Sequence, residues 1–325
     1  MLADMKGPVV DWALLVVPGV IWGASFLFIA EGLEAVSPNG VTFTRIAIGF
    51  LTLSLFPSAR KPVARADRAG TAALGVLWLA FPLSMFPFAE QHVSSALTGM
   101  LNGATPLFVA AVASLLAHRL PERGIIVGLA VGFGGAVVMA LPALGGASSA
   151  FGVALIMAAL ISYGIALNIA RPLQQRNGAI PVIWRALAVA LILTAPLGLP
   201  EVLKGDWSLR PVLALLALGA GGTAIATVVA ATAAGRLGAT KASATAFLIP
   251  VVALILGVVI RHERVSASSL VGAAICLLGA AIIRDPGMFV RPFKRHALAG
   301  SQAPRRHEDT EVARFVGGAT RRKVG

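Results

Sequence analysis

Ten long apolar stretches, at 12–30, 41–57, 70–89, 93–117, 124–142, 151–170, 181–199, 211–234, 242–260 and 268–283, fill most of this chain. The only ionised side chains inside them are Arg45 and Arg185. A helix needs roughly 20 mostly apolar residues to cross the hydrocarbon core of a bilayer. A soluble domain cannot bury so many such runs. Soluble domains are about 45–50% apolar and about 25% charged, whereas this chain is 57% hydrophobic and 13% charged, with a mean hydropathy of +0.85. The runs are continuous rather than alternating, which argues against the period-of-two strands of a membrane barrel. The pattern predicts an all-α polytopic membrane protein of ten transmembrane helices joined by short loops.

The opening MLADMKGPVVD carries Asp4 and Asp11. It is not the basic n-region of a signal peptide, and the apolar run behind it is long for one. Residues 1–11 are expected as a cytoplasmic N-terminus and 12–30 as the first retained span. Beyond residue 284 the chain turns polar and basic, so 285–325 reads as a disordered cytoplasmic tail. With the N-terminus inside, the inner loops carry Arg60, Lys61, Arg65, Arg68, Arg119, Arg123, Arg171, Arg176, Arg236 and Lys241, alongside Lys6 and the tail. The outer loops carry only Lys204, Arg210, Arg261 and Arg264. That asymmetry is a positive-inside signal. It predicts a multi-pass protein of the inner (plasma) membrane with both termini cytoplasmic.

The same asymmetry accounts for the net charge of +13. The tail either meets anionic headgroups or keeps the terminus solvated, and nucleic acid is not an expected partner. A single cysteine, Cys276, excludes a disulfide framework and a CxxC metal site. No GxxxxGK[ST] marks a nucleotide-hydrolysing pump, and no HExxH, paired intramembrane aspartates or Ser/His pair marks an embedded protease. No cofactor, metal ligand or catalytic residue is therefore expected, and the chain is not read as an enzyme.

Residues 94–139 repeat at 238–283. At an offset of 144, Pro106 falls on Pro250, Gly128 on Gly272, Gly135 on Gly279 and Arg119 on Glu263. Further upstream the offset slips to 140, and Arg45 falls on Arg185. The halves are 12–142 and 151–284, with five spans each. Five is odd, so the second half is expected upside down relative to the first. Inverted repeats characterise secondary transporters, whose halves form a site near the midplane and rock around it.

The stretch PGVIWGASFLFIAEGLEAVSPNGVTFTRIAIGF resembles the opening of the EamA family in the drug/metabolite transporter superfamily. The matching pieces are the WG-x-SF-x-F run, the SP before the second span, and the arginine within it. AEQHVSSALTGMLNGATPLFVAAVASLLA is similar to that family's fourth-span pattern, and RHERVSASSLVGAAICLLGAAII to its closing Glu-then-Gly pattern. The resemblance covers about 12–284. It implies a carrier of small metabolites, often an exporter, driven by a proton or substrate gradient, with both termini cytoplasmic. The acidic residue that the family pattern places after the fourth span is Arg119 here, and its counterpart is kept at Glu263. Aromatic residues are sparse, with a single tyrosine, Tyr163.

Arg45 and Arg185 lead the candidate cavity residues, because a charge at a helix centre costs roughly 2.5–3.5 kcal/mol on insertion scales. Each either faces a cavity and grips a carboxylate with its planar fork, or snorkels and bonds carbonyls near a helix end. Pro106 and Pro250 each remove a backbone hydrogen bond, freeing the carbonyls of Asn102 and Ala246. Matched helix breaks point to a transporter's binding site, although a packing kink has the same signature. Ser94, Thr98, Asn102 and Thr105 share one helix face, as substrate contacts or as hydrogen-bonding glue. Pro18, Trp22 and Ser25 share another, with Trp22 near mid-span as packing or as an aromatic wall. Thr223 and Thr227, with Ser162, Tyr163 and Asn168, complete the set.

For proton coupling, Glu31, Glu34, Glu90, His92, Lys241 and Glu263 all lie at span ends, where water would leave them nearly unperturbed. None is an evident mid-membrane carboxylate, so the sequence does not identify the coupling residue, and Glu90 with His92 is the candidate pair. A sparse polar set with two arginines suits a substrate with an apolar body and a carboxylate, such as an amino acid. An exporter of drugs or organic cations would need a cavity carboxylate instead. Outside transport, the alternatives are a membrane-embedded enzyme or a channel.

Overall fold

Without water in the hydrocarbon core, a continuous apolar run satisfies its backbone by bonding each N–H to a carbonyl of the same segment. The computed structural model describes residues 8–119, 123–142, 147–237, 242, 245–246 and 248–284, and they are helical with no strand among them. Lys6, Lys241 and the basic tail lie outside the described residues. The helices are α1 (Pro8–Gly32), α2 (Pro38–Ser54), α3 (Arg68–Leu74), α4 (Phe81–Glu90), α5 (Ser95–Asn102), α6 (Thr105–Leu116) and α7 (Arg123–Ala140). After them come α8 (Ala147–Asn177), α9 (Ala179–Leu203), α10 (Leu209–Leu216), α11 (Ala226–Leu237), α12 (Leu248–Arg261) and α13 (Ala267–Arg284). Two π-helical segments join neighbours into continuous helical stretches: π1 (Gly75–Ala80) links α3 to α4, and π2 (Ala217–Ile225) links α10 to α11.

Six of these helical stretches are long and apolar enough to cross a membrane: Val9–Gly32, Arg65–Glu90, Ser95–Leu116, Ser149–Asn177, Ala179–Leu203 and Leu209–Leu237. Shorter apolar helices occur at Ile126–Gly135, Leu248–Arg261 and Ala267–Gly279. The turns follow from local chemistry. Ser37 precedes Pro38, whose fixed φ and missing N–H suit a first helical position. Ser94 caps α5 by accepting the Leu97 N–H at 3.2 Å. Gly178, at φ 82°, is the only residue between α8 and α9, a conformation that glycine adopts at no steric cost.

Two large clusters of buried side chains form the interior. One includes Ile29, Phe86, Met100, Leu101, Ile156 and Leu160. The other includes Ile46, Leu74, Leu79, Ile183 and Leu187, and Tyr163 packs against both. Large apolar side chains such as Leu55, Leu115, Ile192, Leu197 and Val259 point outward, as lipid contact requires.

Where helices touch most closely, glycine makes the contact. In lipid the surroundings of a helix are as apolar as its side chains, so association relies on backbones approaching through small residues. A Cβ added at Gly135 of α7 would lie 2.7 Å from the Gly272 carbonyl oxygen of α13, and one at Gly279 the same distance from the Gly128 oxygen. Both pairs involve the glycines that recur at the 144-residue offset.

Charged side chains tie the bundle at its two ends. At one, Asp67 accepts from Arg176 Nη2 at 2.6 Å and from Asn177 Nδ2 at 2.6 Å, joining the start of α3 to the end of α8. At the other, Glu31, 4% exposed, accepts from Arg261 at 2.7 Å and pairs with Arg210. There Glu263 also accepts from the Ser95 N–H, the Ser95 hydroxyl and the Ala96 N–H, at 3.2, 2.6 and 2.8 Å. The expectation that acidic groups at span ends face water therefore fails for Glu31, which is buried, while Glu263 is half-buried and bonded to backbone. Helix ends leave unpaired N–H groups, and the side chains near them serve each other and the backbone instead.

The α7–α13 contact is testable. Gly135→Ala, whose methyl meets backbone that cannot shift, is expected to destabilise by about 1–3 kcal/mol. Gly134→Ala, on the same helix with nothing within 4 Å of the new Cβ, is expected to be neutral. Thermal unfolding of the two purified variants in detergent separates them.

Candidate functional site

Between the two buried clusters lies a cavity with the make-up of a small-molecule site, a mostly apolar lining with a few placed polar groups. Its aromatic wall consists of Trp22, Phe26, Trp78, Phe86 and Tyr163. Phe86 links two of these rings, meeting Phe26 edge-on at 5.5 Å and Tyr163 at 5.9 Å. The polar groups on the wall are Ser25, Arg45, Asn102, Thr105, Thr223, Thr227 and Thr245. None of the described lining residues is acidic.

Two glycines bring Arg45 to its place. A Cβ at Gly49 of α2 would lie 3.0 Å from Thr223 Cγ2, and one at Gly219 of π2 would lie 3.0 Å from the Arg45 carbonyl oxygen. With these two backbones close, Arg45 Nε donates to Thr223 Oγ1 at 3.1 Å. The Thr223 hydroxyl in turn donates to the Leu218 carbonyl, five residues back, at 3.1 Å. Among the described residues this is the only hydrogen bond Arg45 makes, and no carboxylate pairs with it. The side chain is 3% exposed, so a cation sits inside the bundle with no hydrogen bond from Nη1 or Nη2 to a described residue. A buried charge without a counter-charge is costly, and an anionic group entering the cavity would relieve that cost.

The π segments matter because a π-bulge shifts the helical register and leaves a carbonyl unmatched. In π2 the Gly222 carbonyl accepts the Trp22 indole N–H at 2.9 Å. In π1 the Leu77 carbonyl accepts the Ser162 hydroxyl at 2.6 Å. Trp22 and Ser162 are thus held by irregular backbone on the neighbouring element. Trp22 joins α1 to the cavity wall, and Ser162 locks α8 beside it.

The structure brings Trp22, Ser25, Arg45, Asn102, Thr105, Tyr163, Thr223 and Thr227 together on one cavity and leaves Thr98, Pro106, Arg185 and Pro250 off it. Thr98 is fully buried and turns its hydroxyl onto the Ser94 carbonyl at 3.0 Å, so the polar stripe of α5 reaches the cavity only at its far end. Pro106 opens α6 after the Gly103–Ala104 break. The carbonyl it was expected to free, that of Asn102, accepts the Thr105 hydroxyl at 2.6 Å. Pro250 packs on Gly103, which makes it a helix contact. Arg185 Nη1 donates to the Ala59 and Pro181 carbonyls, each at 3.1 Å. It secures the turn Pro57–Arg60 to α9, away from the cavity.

Neither coupling candidate lines the cavity. His92 stacks its ring edge-on against Phe151 at 5.3 Å. Both carboxylate oxygens of Glu90 are buried without a hydrogen-bond partner, contrary to a water-bathed span end. Asn168, a weaker candidate, donates to the Val109 and Gly164 carbonyls at 3.1 and 2.8 Å and works as glue. Trp78 went unpredicted although it sits mid-span as Trp22 does. That signal was in the sequence, whereas nothing in the sequence marked Phe26 and Phe86 as wall.

Comparison with known proteins finds the EamA-like transporter family matching twice, over residues 12–141 and 150–284. A probable terminal-alkyne amino-acid exporter of Streptantibioticus cattleyicolor is 27% identical over 278 residues, covering 84% of this chain and 92% of that protein. An uncharacterized transporter of Archaeoglobus fulgidus is 23% identical over 284 residues, covering 84% and 98%. A solved crystal structure at 18% identity superposes with a TM-score of 0.62 over 85% of this chain and 98% of its own, a likeness of fold.

Thr223 carries the local geometry of Arg45. Thr223→Val leaves both Nε and the Leu218 carbonyl without their partner and is expected to cost about 1–3 kcal/mol. Thr223→Ser keeps the hydroxyl and is expected to stay close to the unaltered protein. The midpoints of thermal unfolding distinguish the two.

Proposed function

This chain belongs to the EamA-like transporter family, and from that premise we propose that it is a secondary active carrier exporting a small carboxylate-bearing metabolite with an apolar body, such as an amino acid. The observation that carries the reading is Arg45, buried in the cavity wall with no acidic partner among the described residues. A planar guanidinium fork suits a carboxylate, and the rings of Trp22, Trp78 and Phe86 suit an apolar body. The name of the Streptantibioticus relative, an amino-acid exporter, supports the same substrate class. A carrier of organic cations would need a carboxylate on the wall, and the described lining residues are without one.

The architecture that goes with this function is ten spans in two inverted five-helix halves, 12–142 and 151–284. Residues 1–11 and the basic 285–325 flank them on the cytoplasmic side of the inner membrane. The pairing of Gly135 with Gly272 and of Gly279 with Gly128 across the 144-residue offset supports this, as does the excess of Lys and Arg in the inner loops. Alternating access, driven by a proton or substrate gradient, would expose the cavity to each side in turn.

The test is an untargeted comparison of extracellular and intracellular small molecules from cells making this protein, an equally abundant Arg45→Ala variant, or Arg185→Ala. A carboxylate-bearing metabolite is expected to be enriched outside with the unaltered protein and with Arg185→Ala, and not with Arg45→Ala. Depletion from the medium would reverse the direction. Enrichment confined to cations and indifferent to Arg45 would overturn the substrate class.

A further inference from the structure

Glu90 ends α4 with both carboxylate oxygens buried and unpartnered. The donors on the first turn of α5 are in use elsewhere. The Ser95 N–H, the Ser95 hydroxyl and the Ala96 N–H all go to Glu263. That carboxylate sits on the first turn of α5, where the helix dipole favours negative charge. Its position depends on a glycine, because a Cβ at Gly257 would lie 2.6 Å from Glu263 Oε2.

The surrounding charges are likewise committed. Glu263, Arg261 and Arg45 are the charged groups that act on Glu90. Arg261 is held by Glu31 and Glu34 at 2.7 and 3.1 Å, and Arg45 by Thr223. α8 presents Tyr163, which touches Phe86 of α4. In the loop after Glu90, His92 lies against Phe151. So Glu263 is fully bonded, whereas Glu90 nearby has no hydrogen-bond partner, and the cations that act on it, Arg261 and Arg45, are bonded elsewhere. A carboxylate held out of water without a hydrogen-bond partner is costly to leave charged. An ionisable group inside a membrane protein that pairs with nothing is a functional site by default.

We propose that Glu90 is the proton-binding residue of this carrier, protonated while Glu263 caps α5 and deprotonated when that end of the bundle opens to water. On release the carboxyl O–H bond breaks, its electron pair stays on the carboxylate, and the proton passes to water. The new charge repels Glu263 and favours parting α4 from the capped end of α5, the helix whose other end carries Asn102 into the cavity. The inference rests on the transport reading and names the group through which a proton gradient would act.

The test uses the full chain in liposomes. In an infrared pH titration, a protonated carboxyl C=O band is expected at neutral pH in the unaltered protein. It should be lost in Glu90→Gln and return at a shifted frequency in Glu90→Asp, with the helical amide band confirming that each variant is folded. Absence of the band from the unaltered protein, or its persistence in Glu90→Gln, overturns the proposal. In parallel, liposomes loaded with a mixture of the common amino acids are placed in a pH gradient and efflux is followed by mass spectrometry. The response of efflux to the gradient is expected to be lost in Glu90→Gln, and a response that survives there overturns the coupling role. Should no amino acid leave through the unaltered protein, the substrate class falls, and the infrared result still decides Glu90.

Discussion

A backbone carbonyl left unpaired in a dry apolar interior costs several kcal/mol, and no water is at hand to take it. Three carbonyls of the π segments accept side chains, two from a neighbouring helix and one from within π2, and those closures border the cavity. The Gly222 carbonyl of π2 takes the Trp22 indole, the Leu77 carbonyl of π1 takes the Ser162 hydroxyl, and the Leu218 carbonyl takes Thr223. Each bond satisfies the backbone and at the same time orients a side chain on or beside the cavity wall. Regular helices would have offered these side chains no partner at those positions.

Charge is handled differently at the ends and in the middle. Asp67 is bonded to Arg176 and Asn177, Glu31 to Arg210 and Arg261, and Glu263 to the first turn of α5. Removing one partner of a buried pair leaves an uncompensated charge and is strongly destabilising, so these groups lock the bundle. Arg45 departs from the pattern. Among the described residues it is bonded to one hydroxyl and to no carboxylate, and it lines the cavity. On the proposed reading, this contrast with the paired carboxylates at the ends is what would let Arg45 take an anionic group and give it up.

Much of the site was legible in the chain, though not evenly. Arg45 stood out because a lone cation in an apolar run demands an explanation, and Trp22 because tryptophan ordinarily sits at the membrane interface. By the same rules Arg185 looked equivalent and Trp78 should have been noticed. Arg185 lies close to a helix end where the Ala59 carbonyl is within reach, and sequence spacing does not say whether such a carbonyl is there. Pro106 and Pro250 did mark irregular helix starts. The geometry left no freed carbonyl at Asn102, because Thr105 stands three residues away and takes it.

The order of residues along the chain was enough to establish a helical membrane protein, since uncharged runs of that length have no other way to satisfy their backbone. It was also enough to bring out the buried arginine, the recurring glycines and the family. Which polar groups meet is a matter of helix rotation, of the register shift in π1 and π2, and of close approach through Gly49, Gly135 and Gly219. Those depend on partners far away in the chain: Arg45 finds Thr223 across 178 residues, and Trp22 finds Gly222 across 200. No local pattern encodes such distances, so the cavity, its aromatic wall and the isolation of Glu90 emerged only once the helices were packed.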